Sequence, residues 1–132
     1  GWVAGLRDPQ VGRALAAFHA DPAAAWTLAS LAAEAGMSRS AFADRFRAVL
    51  GEPPMSYVTA WRMDLAARLV RERALPLARV AERVGYQSEA AFNRAFRRAH
   101  AMPPGAFARR DPAELALPEG VAVPTLTGRT SS

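Results

Sequence analysis

The chain has 132 residues, 51% of them hydrophobic, with no cysteine and a formal charge of +5. That length allows one domain or two very small ones, and the missing cysteine excludes disulfides, thiolate catalysis and cysteine-based metal sites. Every one of the seventeen basic residues is arginine, and from Thr27 to Arg110 fourteen of them stand against seven acids, an excess that suits a polyanion such as nucleic acid but equally a solvated helix face.

Alanine and leucine dominate and β-branched runs are absent, which predicts an all-α fold. No apolar run approaches the roughly 20 residues of a membrane span. The opening "GWVAGLRDPQ" lacks the basic stretch and long apolar run of a secretion signal. A cytoplasmic, nucleoid-associated location is therefore expected, and Gly1 reads as a cut point in a longer protein.

In chain order, a first helix is predicted from Asp8 to about Ala20, with Asp8 as cap and Pro9 at the first helical position. Val11, Leu15 and Phe18 line one face of it. "DPAAA" breaks the pattern. Thr27 caps a short second helix that stops at Gly36, and Trp26 is placed to staple onto Leu31. Ser38 caps a third helix that Gly51 closes. A long helix follows, from about Met55 to Arg73, with Tyr57, Trp61, Leu65, Leu69 and Val70 as its apolar stripe and Asp64, Arg68 and Glu72 as an i,i+4 charge ladder. Pro76 opens a fifth helix ending at Gly85, Gln87 or Ser88 a sixth reaching His100, and Pro104 a last turn to Arg109. The organisation read from this is 1–25, linker and first helix; 26–54, first unit; 55–74, connecting helix; 75–110, second unit; and 111–132, a Pro-, Gly- and Thr-rich tail expected to be flexible.

The two units repeat. "LASLAAEAGM" from Leu28 aligns with "LARVAERVGY" from Leu77 at an offset of 49, and beyond the glycine Phe42, Phe46, Arg47 and Pro53-Pro54 align with Phe92, Phe96, Arg97 and Pro103-Pro104 at an offset of 50. Each copy is a short helix, a glycine turn and a second helix, the helix-turn-helix plan. A single copy is as often a packing unit as a reader of DNA. Two copies are more specific, because a connecting helix of about 18 residues is near 27 Å long, the scale needed to set two recognition helices about one duplex turn, roughly 34 Å, apart.

The paired units resemble the DNA-binding domain of the AraC/XylS transcription regulators over about Asp8 to Arg109. The strongest stretch is "VAERVGYQSEAAFNRAFRRAHAMPPGAFARR", with "WTLASLAAEAGMSRSAFADRFRAVLGEPPMSYVTAWRMDLAARLV" resembling the first unit and connecting helix. The resemblance implies about seven helices, two recognition helices in adjacent major-groove segments of double-stranded DNA, and activation of transcription with RNA polymerase as a possible partner. The start, "GWVAGLRDPQVGRAL", resembles the junction to an N-terminal effector-sensing domain that this chain lacks. By position the implied base-facing residues are Arg39, Ser40, Ala43 and Asp44, then Glu89, Ala90, Asn93 and Arg94. Arg94 suits guanine O6 and N7, Asn93 adenine N6 and N7, and Glu89 or Asp44 cytosine N4. Many relatives carry a longer basic or amide side chain where Asp44 stands; Asp44 is alternatively placed to orient Arg45 or Arg47. The phosphate candidates are Arg47, Arg62, Arg97, Arg98 and the capping residues Thr27, Ser38 and Ser88. Arg68, Arg71 and Arg73 read as a solvated face.

No catalytic constellation can be assembled, and His19 and His100 have no ligand-spaced companions, so neither an enzyme nor a metal or other cofactor is expected. The small polar character of Ser40, Ala43, Ala90 and Ala91 keeps a second reading open, a helix-turn-helix scaffold used as a protein-interaction module.

Overall fold

Prolines and small polar residues set the helix boundaries. In the computed structural model, which describes residues 2–110, the order is α1 (Trp2–Arg7), α2 (Pro9–Ala20), α3 (Leu28–Ala35), α4 (Arg39–Leu50), α5 (Pro54–Glu72), α6 (Leu77–Arg83), α7 (Glu89–His100) and α8 (Pro104–Arg109). The tail expected at 111–132 lies outside the described residues, and among those described no strand occurs.

The helix starts follow the capping chemistry. Asp8 Oδ1 accepts from the N–H groups of Gln10 and Val11, both at 3.0 Å. Thr27 and Ser30 form a reciprocal capping box at α3, and the Ser38 and Ser88 hydroxyls accept from the N–H of Ala41 and Ala91. The two glycine turns repeat in detail. At the first, the Gly36 N–H donates to Ala33 O and the Met37 N–H to Ala32 O; at the second, Gly85 donates to Glu82 O and Tyr86 to Ala81 O. These are paired Schellman closures, with φ +69° at Gly36 and +92° at Gly85. The extra residue in the second copy is Gln87, between Tyr86 and the Ser88 cap.

Two features depart from the expectation. The segment read as a linker contains α1, so the described residues form eight helices where about seven were expected. It is held by packing on α2 and α4, where the buried Gly5 gives Leu15 and Leu50 room that a β-carbon would take. Six residues are too few to display a period, so only the tertiary contact reveals them.

The second departure concerns α5. Its apolar residues are not one stripe. Tyr57 and Val58 enter a core with Val11, Leu15, Phe18, Leu31, Phe42 and Phe46. Met63, Ala66, Ala67 and Val70 enter another with Val80, Val84, Phe92, Phe96 and Phe107. Trp61, Leu65 and Leu69 are only half-buried at the margins. At 100° per residue the two sets point to roughly opposite sides of the helix. The two units therefore flank α5, and the stripe expected from Tyr57 to Val70 is divided between them.

Candidate nucleic-acid interface

Each second helix is pinned by its phenylalanines. Phe42 and Phe46 have ring centroids 5.6 Å apart and Phe92 and Phe96 5.8 Å apart, all four buried. Burying each turn-spaced pair against the core turns the opposite face of its helix outward. On α4 this exposes Arg39, Ser40, Asp44 and Arg47, with Ala43 half-buried. On α7 it exposes Glu89, Ala90, Arg94, Arg97 and Arg98. Among the described residues Arg39, Arg47, Arg94, Arg97 and Arg98 make no ion pair, so they stand exposed and unpaired there.

Asn93 does not join Arg94 on the outer face. It is half-buried, and its Oδ1 is enclosed without a hydrogen-bond partner. The capping hydroxyls are engaged as acceptors, which leaves the Ser38 and Ser88 hydroxyl protons free to donate outward. Thr27 Oγ1 lies within 3.3 Å of Ser30 Oγ as well as capping the Ser30 N–H.

Arg62 stands apart from the other phosphate candidates. It is half-buried; its Nε donates to Pro22 O at 3.0 Å and its Nη2 to Ala24 O at 2.8 Å. Burial lowers the pKa of its guanidinium, and the nearby Tyr86 phenol acts in the opposite direction. With its fork spent on the chain's own carbonyls, Arg62 is turned into the fold instead of towards a ligand. Nor does Asp44 orient Arg45. Arg45 Nε donates to Asp8 Oδ2 at 2.6 Å, whereas Asp44 is exposed. No local spacing announces the Arg45 or Arg62 contacts, because their partners lie 37 to 40 residues away.

The two histidines bond within the fold. His19 Nε2 lies 2.9 Å from Tyr57 Oη and His100 Nε2 3.0 Å from Met63 O. Among the described residues no group of His, Asp and Glu is clustered to hold a metal ion, and no helix is long and apolar enough to cross a membrane.

A family profile described as a helix-turn-helix domain matches residues 31–110. The chain belongs to the AraC/XylS family. It is 51% identical over 107 residues to an AraC-like transcription regulator of Streptomyces lividans, covering 81% of this chain and 35% of that protein. It is 39% identical over 105 residues to the RCS-specific HTH-type transcriptional activator RclR of Escherichia coli K12, covering 80% of this chain and 37% of RclR. The chain thus spans about a third of the length of these relatives. Among solved structures, the DNA-binding domain of AdpA in complex with a target DNA superposes with a TM-score of 0.71 at 31% identity, covering 76% of this chain and 90% of that one. The C-terminal domain of AraT, a response regulator of Geobacillus stearothermophilus, gives 0.72 at 30% identity, covering 77% and 85%. The AraC-type domain is a DNA-binding regulatory domain and not an enzyme, as the residues led one to expect.

Proposed function

We propose that this AraC-type domain binds double-stranded DNA sequence-specifically by laying α4 and α7 into adjacent major-groove segments, as the DNA-reading part of a transcription activator. The observation that carries the reading is the pair of equivalent, Phe-anchored helices with exposed arginines on their outer faces, set on opposite sides of a 19-residue helix. That helix is about 28 Å long, close to the spacing of successive major-groove faces. The target DNA in the AdpA structure and the activator role in RclR's name support the same reading.

In it, Arg39, Ser40, Ala43 and Asp44 face the first half-site and Glu89, Ala90 and Arg94 the second, with Arg94 on guanine. Asn93 reads a base only after its amide rotates out of its enclosure. Arg47, Arg97 and Arg98 and the Ser38 and Ser88 hydroxyls hold phosphates. Arg62 is not among them. An effector-sensing domain and RNA polymerase complete the regulator as partners. Enrichment of duplexes from a random library tests the reading: a bipartite site is expected, with halves about one helical turn apart. Recovery of no preferred duplex would reject it in favour of a protein-interaction scaffold, the reading that the exposed Asp44 and Glu89 favour because each repels phosphate.

A further inference from the structure

Arg62 sits where three parts of the chain meet. Its stem rises from α5, at the flank between the Tyr57–Val58 side and the Met63–Val70 side. Its fork holds the carbonyls of Pro22 and Ala24, in the loop that leads from α2 to α3 in the first unit. Its guanidinium lies against Gly85, the turn glycine of the second unit. A β-carbon at Gly85 would stand 2.9 Å from Arg62 Cζ, 3.0 Å from Nη2 and 3.1 Å from Nε. Such near-equal distances mean that the flat face of the group covers the glycine. Gly85 thus serves two requirements at once, a φ of +92° and the absence of a side chain where the guanidinium lies. Around this point the loop and the second turn face each other across a crevice lined by Ala23, Ala25, Glu82, Gly85, Tyr86 and Gln87.

The helices of the two units pack mainly within their own unit or on α5. A single helix fixes the distance between two bodies along its axis, but a body seated at each side can still rock about it. A bond from α5 into one unit, made by a group that also lies against the other, opposes that motion. We infer that Arg62 is a positioning residue that locks the relative orientation of the two helix-turn-helix units, and through it the half-site spacing the domain accepts. The carbonyls of Pro22 and Ala24 are the acceptors, and Gly85 is the seat. The spacing part of this inference rests on the DNA-binding reading; the orientation part does not.

Two measurements test it. The chain contains no cysteine, so Ser40→Cys with Ala90→Cys places one spin label on α4 and one at the equivalent position of α7. Pulsed dipolar spectroscopy on the full chain should give one narrow distance distribution with Arg62 present, and a distribution about twofold wider, or shifted, with Arg62→Met. On duplexes carrying the enriched half-sites at varied separations, the chain with Arg62 should prefer one spacing by about tenfold. Arg62→Met should flatten that preference while an isolated half-site is bound equally by both. An unchanged distance distribution in Arg62→Met would overturn the inference whatever happens on DNA. Failure of the DNA-binding reading would instead show in the unmodified chain, as the absence of any enriched duplex. If Arg62→Met does not fold, Arg62→Lys takes its place, since it keeps the charge and loses the planar fork; an unchanged distribution there would overturn the inference equally.

Discussion

Arg45 on α4 and Asp8 ahead of α2 meet at 2.6 Å, and the same carboxylate caps α2 through Gln10 and Val11. One side chain therefore ties the start of the bundle to the helix assigned to the first half-site. Asp8→Ala removes cap and ion pair together and should cost about 1–2 kcal/mol in urea unfolding. Asp8→Asn keeps an acceptor for the cap and loses only the pair. With the Arg45 side chain 49% exposed, that loss should stay below about 1 kcal/mol.

The same contacts set a pH dependence. The bond from the Val11 N–H, and after it Arg45, hold the Asp8 carboxyl below its ordinary value of 3.8. The unfolded chain then binds the proton more readily than the folded one. The contribution of Asp8 is complete well above that ordinary value and is lost as the pH falls through the lower, folded value. Urea titrations should show a constant gap between the chain and Asp8→Asn from neutrality down to about pH 5, narrowing below about pH 4.

Ala101 occupies the place that Gly51 holds in the first unit. Ala101 has φ +64° and Gly51 +82°, and each closes the second helix of its unit by donating to the carbonyl of the aligned arginine, Arg97 or Arg47. The second unit thus carries a left-handed alanine where the first has glycine. Ala101→Gly should stabilise the domain by about 0.5–1 kcal/mol. Gly51→Ala should cost about 1 kcal/mol from the backbone alone, since nothing lies within 4 Å of the added carbon. Thermal unfolding of the two variants checks both signs.

Asn93 carries an acceptor that is enclosed and unpaired. Asn93→Ala should change folding stability by less than about 0.5 kcal/mol despite the half-buried position, because removing an unsatisfied oxygen offsets the lost packing. On DNA the same variant should lose discrimination at one base pair. Urea unfolding and binding to a set of single-base variants of the enriched site separate the two effects.

Arg94 and Arg97 are both exposed on α7, yet the proposed roles differ. Arg94→Ala should cost about 1–3 kcal/mol on the preferred site and relax the choice at one position. Arg97→Ala should weaken all duplexes alike and reduce the slope of log affinity against log salt by about 0.9. Anisotropy titrations at several salt concentrations distinguish them.

Much of this domain was legible in the chain because its signals are local. Asp8, Thr27, Ser38 and Ser88 cap within three residues of themselves, Gly36 and Gly85 mark left-handed turns, and the Phe pairs recur one helical turn apart. A repeat of such signals determined two helix-turn-helix units on a connecting helix, and the family. What the sequence could not reveal depends on partners far along the chain. The helix at Trp2–Arg7 exists through its packing on α2 and α4. The division of α5 into two faces is decided by which unit each half meets. By sequence Arg62 is a phosphate candidate, and only the tertiary structure, by bringing Pro22, Ala24 and Gly85 to it, turns it inward. A capping residue or a turn glycine acts through its own backbone and reads the same in any fold. A guanidinium takes its role from whatever acceptors surround it, and those are known only once the chain has closed.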